Sequence, residues 1–419
     1  KKVAFDPNSW RKLSCLEIPI FPRLTVIAGH NGIGKSSILG FIANASGLRA
    51  REIDKRKNYF GTEFISKFEE QFRLAPADIT SGRKNSGHIR LTYEVDGGEV
   101  LKVCNIGQTK TPMTKEPRYR VVPRTKGNED YAVKKGVKPD GKIPMPTIFV
   151  SAARTWPIGE SSEVEVTSSS LAPDDADFIR KFHNEIIPGE VTDGIAKELD
   201  VSLSGGRVLR TQHPTYQYDA STISLGQGAL ASIATALASF RRLKRELKQD
   251  YPGGILVVDE IEAGLHPRAQ VSLAKALLRE AKKLNLQVIV TTHSIVFLEQ
   301  IYDVSQKKQS IDGIVYLMDT KTPRVKNLTL QEMQDEMLLS KTAFAKKRKK
   351  ELFVYFEDSE AGAFLKNIVR FGHVDEKVLR VPVKKVPLKM GCGELIMLVH
   401  NKAATHFRRY SACVLDGAQ

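Results

Sequence analysis

Four sets of residues in this chain have the types and spacing to act on phosphate esters. Gly29-His30-Asn31-Gly32-Ile33-Gly34-Lys35-Ser36 has the glycine pattern of a phosphate-binding loop. Glycines there permit a tight turn whose backbone N–H groups, at Gly29, Asn31, Gly32 and Gly34, surround phosphate oxygens. Lys35 would neutralise the β- and γ-phosphates, and Ser36, followed by Ser37, would ligate Mg²⁺. Asp259 and Glu260 end the apolar run Ile255-Leu256-Val257-Val258. Asp259 suits the Mg²⁺ shell, and Glu260, pointing away from it, can orient or deprotonate an attacking water. His293, in Thr291-Thr292-His293-Ser294, closes the next apolar run, where an imidazole can reach a γ-phosphate. Far along the chain, Glu357 and Asp416 each end a short apolar run, and paired carboxylates are what hard divalent cations take. The plainer readings are a glycine-rich turn, a structural histidine and two surface acids.

These residues need elements to hold them. Leu24–Ala28 reads as a compact strand entering the glycine loop, and a helix is expected from about Lys35 to Asn44. The segment His88–Ile106 reads as a hairpin around Asp96-Gly97-Gly98. From Gly107 to Lys142 the chain is rich in Lys, Arg, Pro and Gly with little periodicity, so a long loop is expected, either DNA-facing or simply solvated. Ala172–Leu199 reads as helical segments broken at Pro188-Gly189. After Ser224 a small-residue helix should run from about Gly228 to Lys248. Strands at Ile255–Asp259, Gln287–Thr292 and Gly313–Met318 then alternate with a helix at Gln270–Leu284, which implies an open, largely parallel sheet. Further on, strands are expected at Leu352–Phe356, Val378–Val383 and Ala412–Leu415.

Composition narrows the class. With 419 residues and 41% hydrophobic content the chain can bury a large core in two or three folding units. Its longest apolar runs are strand-sized, so no membrane span and a cytoplasmic location are expected. Cys15, Cys104, Cys392 and Cys413 are scattered without metal-ligand spacing and read as buried free thiols. A formal charge of +16 favours a polyanionic partner, DNA above all, over a merely solubilising surface.

In this order the motifs resemble the ABC ATPase superfamily, with Ser224-Leu225-Gly226-Gln227-Gly228 similar to its signature motif. The resemblance implies that Ser224, Gly226 and Gln227 cap the γ-phosphate held by a second copy, so that a homodimer or higher oligomer closes over ATP. Asp259 to Pro267 looks closer to DNA-repair and phage-defence ATPases than to transporters, and Gly264-Leu265-His266 fills the D-loop place. The C-terminal strand-helix order resembles a Toprim domain, whose acids would be Glu357 and Asp416, holding Mg²⁺ or Mn²⁺. Ala418 stands where that pattern has a second Asp, so weak or absent cleavage is expected.

Together the two parts resemble the overcoming-lysogenisation-defect (OLD) family of nucleases, which includes anti-phage effectors of the Gabija and retron type. The fold class that this implies is α/β, an ABC-type P-loop head with a β-rich insertion followed by an incomplete Rossmann-like Toprim domain. Expected boundaries are 1–340 for the head, with the insertion at about 50–145 and a helical part at about 172–222, then a basic linker at 341–350 and Toprim at 351–419. The resemblance further implies DNA as partner and a reverse transcriptase with its reverse-transcribed DNA as a candidate companion. A recombination-mediator module whose C-terminal part docks a partner without cutting stays open as the alternative.

Overall fold

The computed structural model describes residues 1–338 apart from 54–55, 80–86, 111–116, 156–160, 162, 190, 204–206 and 308. Beyond 338 it describes the strands Leu352–Phe356, Val383–Lys389 and Ser411–Val414 and three isolated positions. Contacts divide the chain into two units, Lys1–Met337 and Leu338–Gln419.

The first unit is organised by a six-stranded sheet in the order Arg324–Lys326, Asp312–Met318, Leu24–Gly29, Leu286–Thr292, Gly254–Val258, Thr147–Val150. All neighbours are parallel except the edge pair Asp312–Met318 and Arg324–Lys326. The strands Leu24–Gly29 and Gly254–Val258 are buried at every residue, as expected for central strands covered on both faces. Alternation divides each strand between two cores. Val26, Leu256 and Val290 join the helices Leu225–Leu247, Pro267–Lys283 and Ile295–Ser305 on one face, while Ile27, Val257 and Ile289 join the helix Lys35–Ala45 on the other.

Helix Leu225–Leu247 buries Ala229, Ala231, Ala234, Ala236 and Ala238, small side chains that allow close approach to the sheet. Helix Lys35–Ala45 is anchored through Phe41, whose ring stacks on Phe68 at 4.4 Å and meets Trp10 edge-on at 5.2 Å.

Two segments differ from their sequence reading. The basic stretch after Gly107 is, among its described residues, largely strand: Leu101–Lys110 of the strand Gly98–Lys110 pairs with Pro117–Lys126, completing an antiparallel five-stranded sheet with Leu16–Pro19, Lys2–Phe5 and Ile89–Val95. Its alternation was masked by charge and proline. Val121, Pro123 and Thr125 face inward, and Arg118, Arg120, Arg124 and Lys126 face out. A short helix, Glu129–Lys134, follows. Among its described residues, the part expected to be helical at 172–222 has one α-helix, Pro173–Ile186, and a single 3-10 turn, Ala220–Thr222. The helix is followed by the paired strands Val191–Leu203 and Arg207–Tyr216, which join Val164–Ser168 in a three-stranded sheet. Pro188-Gly189 ends the helix for good, and Leu199 and Val201 then bury on the strand period.

Of the thiols, Cys104 is buried but Cys15 is exposed, on a left-handed residue with φ of 52°. No described helix is long and apolar enough to cross a membrane. In the second unit Leu352–Phe356 lies between Val383–Lys389 and Ser411–Val414, parallel to both. The strand described between the other two in sequence is Val383–Lys389; residues 378–382 of the expected strand Val378–Val383 lie outside the described residues. The linker at 341–350 lies outside the described residues.

Candidate nucleotide site

The glycine loop turns between strand Leu24–Gly29 and helix Lys35–Ala45. Gly29, Gly32 and Gly34 have φ of 137°, 69° and 104°, conformations that a side chain would strain. At Gly29 a Cβ would also lie 2.2 Å from the Leu317 carbonyl oxygen. Lys35 turns back over the loop, its Nζ donating to the carbonyls of Gly29 and His30 at 2.9 Å each. Burial lowers its pKa from 10.5 to about 8 against the opposing pull of Asp259, Glu260 and Glu262.

Strand order brings the remaining groups to this loop. Leu286–Thr292 is inserted between the glycine-loop strand and Gly254–Val258, so its C-terminal residues lie between Lys35 and the two acids. Thr291 forms a relay there: the Glu260 N–H donates to its Oγ1 at 2.7 Å, and that hydroxyl donates to Asp259 Oδ1 at 2.5 Å. Glu260 has φ of 49°, a left-handed turn that separates the directions of the two consecutive carboxylates. Its carboxyl is held above the ordinary carboxylate range by burial and by Asp259 and Glu262, with Arg154 and Lys35 opposing. His293 is held below its ordinary value by burial and then by Lys35, which favours the neutral imidazole.

These groups line one cleft of about 270 Å³. Asn31, Gly32, Gly34, Lys35, Ser36 and Ser37 form one wall, and Asp259, Glu260 and His293 another. Gly29 closes the base of the loop. The N-terminal loop Trp10–Leu13 completes the cleft, bringing Arg11 and Lys12 to it.

Ser224, Gly226 and Gln227 lie outside the cleft, at the start of helix Leu225–Leu247. Ser224 and Gln227 form a capping box, with the Ser224 N–H donating to Gln227 Oε1 at 2.7 Å and the Gln227 N–H donating to Ser224 Oγ at 3.3 Å. Gln227 is therefore engaged in holding the turn. Gly226 packs on the Gly264 carbonyl so closely that a Cβ would lie 2.4 Å from that oxygen. Glu357 and Asp416, and Ala418 with them, lie outside the described residues.

Three supporting groups escaped the sequence reading. Glu262 accepts from Thr292 Oγ1 at 2.8 Å and from the His293 N–H at 2.6 Å. Arg154, buried, donates from Nη1 to the Ser151 and Asp259 carbonyls and from Nη2 to the Glu260 carbonyl, so one guanidinium holds the backbone of both acids. His30 is hydrogen-bonded through Nε2 to Glu336, which also accepts from the Tyr316 hydroxyl. Glu262 was legible as the third acid of Asp259-Glu260-Ile261-Glu262; the Asp259 and Glu260 carbonyls held by Arg154, and the Glu336 carboxylate on His30, are more than 100 residues distant and leave no local signal.

A second feature is a groove of about 1070 Å³ beside the outward-facing strand Pro117–Lys126. Arg49, Arg51, Arg118, Arg120 and Lys138 line it, together with Glu52, Glu63 and Asp140. Its floor is tied to the C-terminal end of the glycine-loop helix, since Lys142 Nζ bonds the carbonyl and side chain of Asn44 as well as the Ser66 carbonyl.

With this geometry in view, residues 153–299 match the family model described as "AAA domain, putative AbiEii toxin, Type IV TA system". That stretch includes the signature-like turn, Asp259, Glu260 and His293, and leaves out the glycine loop. A curated relative, the DNA replication and repair protein RecF of Paenarthrobacter aurescens, is 30% identical over 105 residues. That match spans 23% of this chain and 26% of the relative, about a quarter of its length. Among solved structures, the SMC head domain from Thermotoga maritima aligns at 17% identity and a TM-score of 0.40, covering 78% of this chain and 98% of that one. An SmcHead bound to the C-winged helix domain of ScpA aligns at 16% identity and a TM-score of 0.41, covering 80% and 98%.

Proposed function

We propose that this chain is an ATP-hydrolysing ABC-type head whose copies close in pairs over ATP, and that the nucleotide state governs a metal-dependent DNA endonuclease built on the C-terminal unit. The observation that carries the ATPase part is the convergence of Lys35, Ser36, Asp259, Glu260 and His293 on one cleft.

In this reading Lys35 leaves the Gly29 and His30 carbonyls for the β- and γ-phosphates. The Ser36 hydroxyl and Asp259 carboxylate are hard oxygen donors that fit Mg²⁺, which would neutralise the phosphate oxygens between them. Glu260 accepts a proton from water as the water oxygen bonds to the γ-phosphorus and the bond to the β-phosphate oxygen breaks, giving ADP and phosphate. The raised proton affinity of Glu260 makes it a better base than an exposed glutamate. His293, as a neutral imidazole, donates to a γ-phosphate oxygen with its N–H or accepts from the water with its bare nitrogen. Ser224 would cap the γ-phosphate of a second copy.

The nuclease part rests on the Toprim and OLD-family resemblance of the sequence, with Glu357 and Asp416 holding Mg²⁺ or Mn²⁺, DNA as substrate, and Ala418 in place of a second acid leaving cleavage by the chain as it stands weak or absent. An anti-phage effector working with a reverse transcriptase and its reverse-transcribed DNA fits that resemblance. The basic groove offers arginines to DNA phosphates. Similarity to a DNA replication and repair protein favours a second reading, a DNA-binding assembly module that does not cut.

Two measurements test the site and separate these readings in turn. Lys35→Ala should abolish ATP binding, and retained affinity would remove the site assignment. Ala418→Asp in the full chain should give Mg²⁺- or Mn²⁺-dependent plasmid nicking that Glu357→Ala abolishes. Inertness of Ala418→Asp across metals, DNA forms and nucleotide states would favour the assembly module.

A further inference from the structure

One side chain ties the glycine loop to the end of the first unit. His30, the second residue of the loop, donates from Nε2 to Glu336 in the helix Leu330–Met337, and the other Glu336 oxygen accepts from the Tyr316 hydroxyl. Tyr316 is a fixed point: it is buried, and its strand Asp312–Met318 runs beside the loop's own strand, with Tyr316 opposite Ala28 and Leu317 opposite Gly29. From helix Leu330–Met337 the chain passes into the second unit at Leu338.

A helix of eight residues is too short to persist by itself. Its first turn closes locally, with Glu332 accepting from the Thr329 N–H and hydroxyl at 3.0 Å each. The residues after it are held by other elements. Met333 enters the core, Gln334 donates to Glu299 at 2.6 Å, and Glu336 takes His30 and Tyr316. Of these three anchors, Glu336 is the one that reaches the glycine loop.

Two bonds fix His30 where it stands: Lys35 Nζ donates to its carbonyl at 2.9 Å, and Glu336 accepts from its imidazole. Phosphate oxygens compete for the first, because the ammonium on that carbonyl is the cation of the loop. A His30 peptide released by Lys35 is free to turn, and the imidazole moves with it. The Glu336 bond therefore favours the arrangement in which Lys35 holds the loop carbonyls and opposes the one in which it holds phosphate.

We propose that His30 and Glu336 form a latch between the glycine loop and the helix leading to the second unit, closed while Lys35 holds the His30 carbonyl and opened when ATP phosphates draw Lys35 away. This regulation rests on the nucleotide-site reading. Linkage makes the latch act in both directions: ATP loosens helix Leu330–Met337 by the factor by which removal of the latch tightens ATP binding. A contact that merely supported the loop would act in the opposite sense, its loss weakening ATP binding.

The test follows two quantities in the full chain, affinity for a fluorescent non-hydrolysable ATP analogue and hydrogen exchange of the backbone amides at 330–337, read by mass spectrometry. In wild type, saturating analogue should speed exchange of those amides by about threefold or more, the scale of one hydrogen bond's net contribution. Glu336→Ala should exchange at the faster rate without analogue, gain little on its addition, and bind the analogue about threefold tighter than wild type. Glu336→Gln serves if that variant does not fold, with shifts in the same directions. Adding His30→Ala to either should change little more, because both residues act through one contact. Exchange indifferent to bound analogue, or analogue binding unchanged or weakened in the Glu336 variants, would overturn the latch and leave the nucleotide site standing. No analogue binding by wild type would remove the site and the latch together.

Discussion

The backbone N–H of His293 donates to Glu262 Oε1 at 2.6 Å, so the position of the imidazole is set by an acid two residues beyond Glu260, in the turn that follows the neighbouring strand Gly254–Val258. The other Glu262 oxygen accepts from Thr292 Oγ1 at 2.8 Å. One carboxylate therefore fixes both residues at the end of strand Leu286–Thr292 against the loop that follows Asp259.

Glu262→Ala should release that strand end and slow ATP hydrolysis by about tenfold, ~1.4 kcal/mol of barrier, while ATP affinity changes by less than about threefold. Combining it with His293→Ala should cost little beyond His293→Ala alone, because both act through the same imidazole. Fully additive losses in single-turnover hydrolysis would separate Glu262 from His293.

ATP affinity should depend on pH through Lys35. Its pKa of about 8 in the nucleotide-free protein lies below 10.5, and phosphate oxygens beside the ammonium must raise it. Binding then takes up a proton above pH 8 and none below. Affinity should be level up to about pH 8 and fall above it by at most about tenfold per pH unit. In Lys35→Arg, whose guanidinium stays charged, the slope should vanish. Calorimetry in two buffers of different ionisation enthalpy checks the proton count directly.

DNA affinity should depend on the groove side chains and much less on neighbouring lysines. Lys135 is already paired with Asp96 at 3.0 Å, whereas Arg118, Arg120 and Lys138 line the groove. Reversing Arg118, Arg120 and Lys138 to Glu should weaken binding and reduce the slope of log K against log salt by about 2 to 3. The same change at Lys134 and Lys135 should leave the slope nearly intact. An unchanged slope in the groove variant would move the DNA elsewhere.

What the sequence disclosed follows from how local each signal is. The glycine loop, the apolar strands ending at Asp259 and Thr292 and the small-residue helix after Ser224 are contiguous patterns, and their positions could be read directly. Strand Pro117–Lys126 was hidden because its inward positions are Val121, Pro123 and Thr125, a weakly apolar set beside four exposed cations. Strand Val191–Leu203 was hidden by the helix before it. Arg154 could not have been found locally, since the two acids whose carbonyls it holds, Asp259 and Glu260, lie 105 and 106 residues away. A buried lysine, Lys102, likewise gave no hint of holding Thr125, Lys138 and Gly141 together.

The central claim is that the cleft between Lys35 and Glu260 binds ATP and hydrolyses it with Glu260 as base. Single-turnover hydrolysis by wild type and Glu260→Gln, with ATP affinity measured on the same preparations, tests it most directly. The account predicts affinity within about threefold and hydrolysis slower by about 10² or more in Glu260→Gln, because the amide can hold a water but cannot take its proton. Hydrolysis at the wild-type rate in Glu260→Gln, or no ATP binding by the wild-type chain, would contradict it.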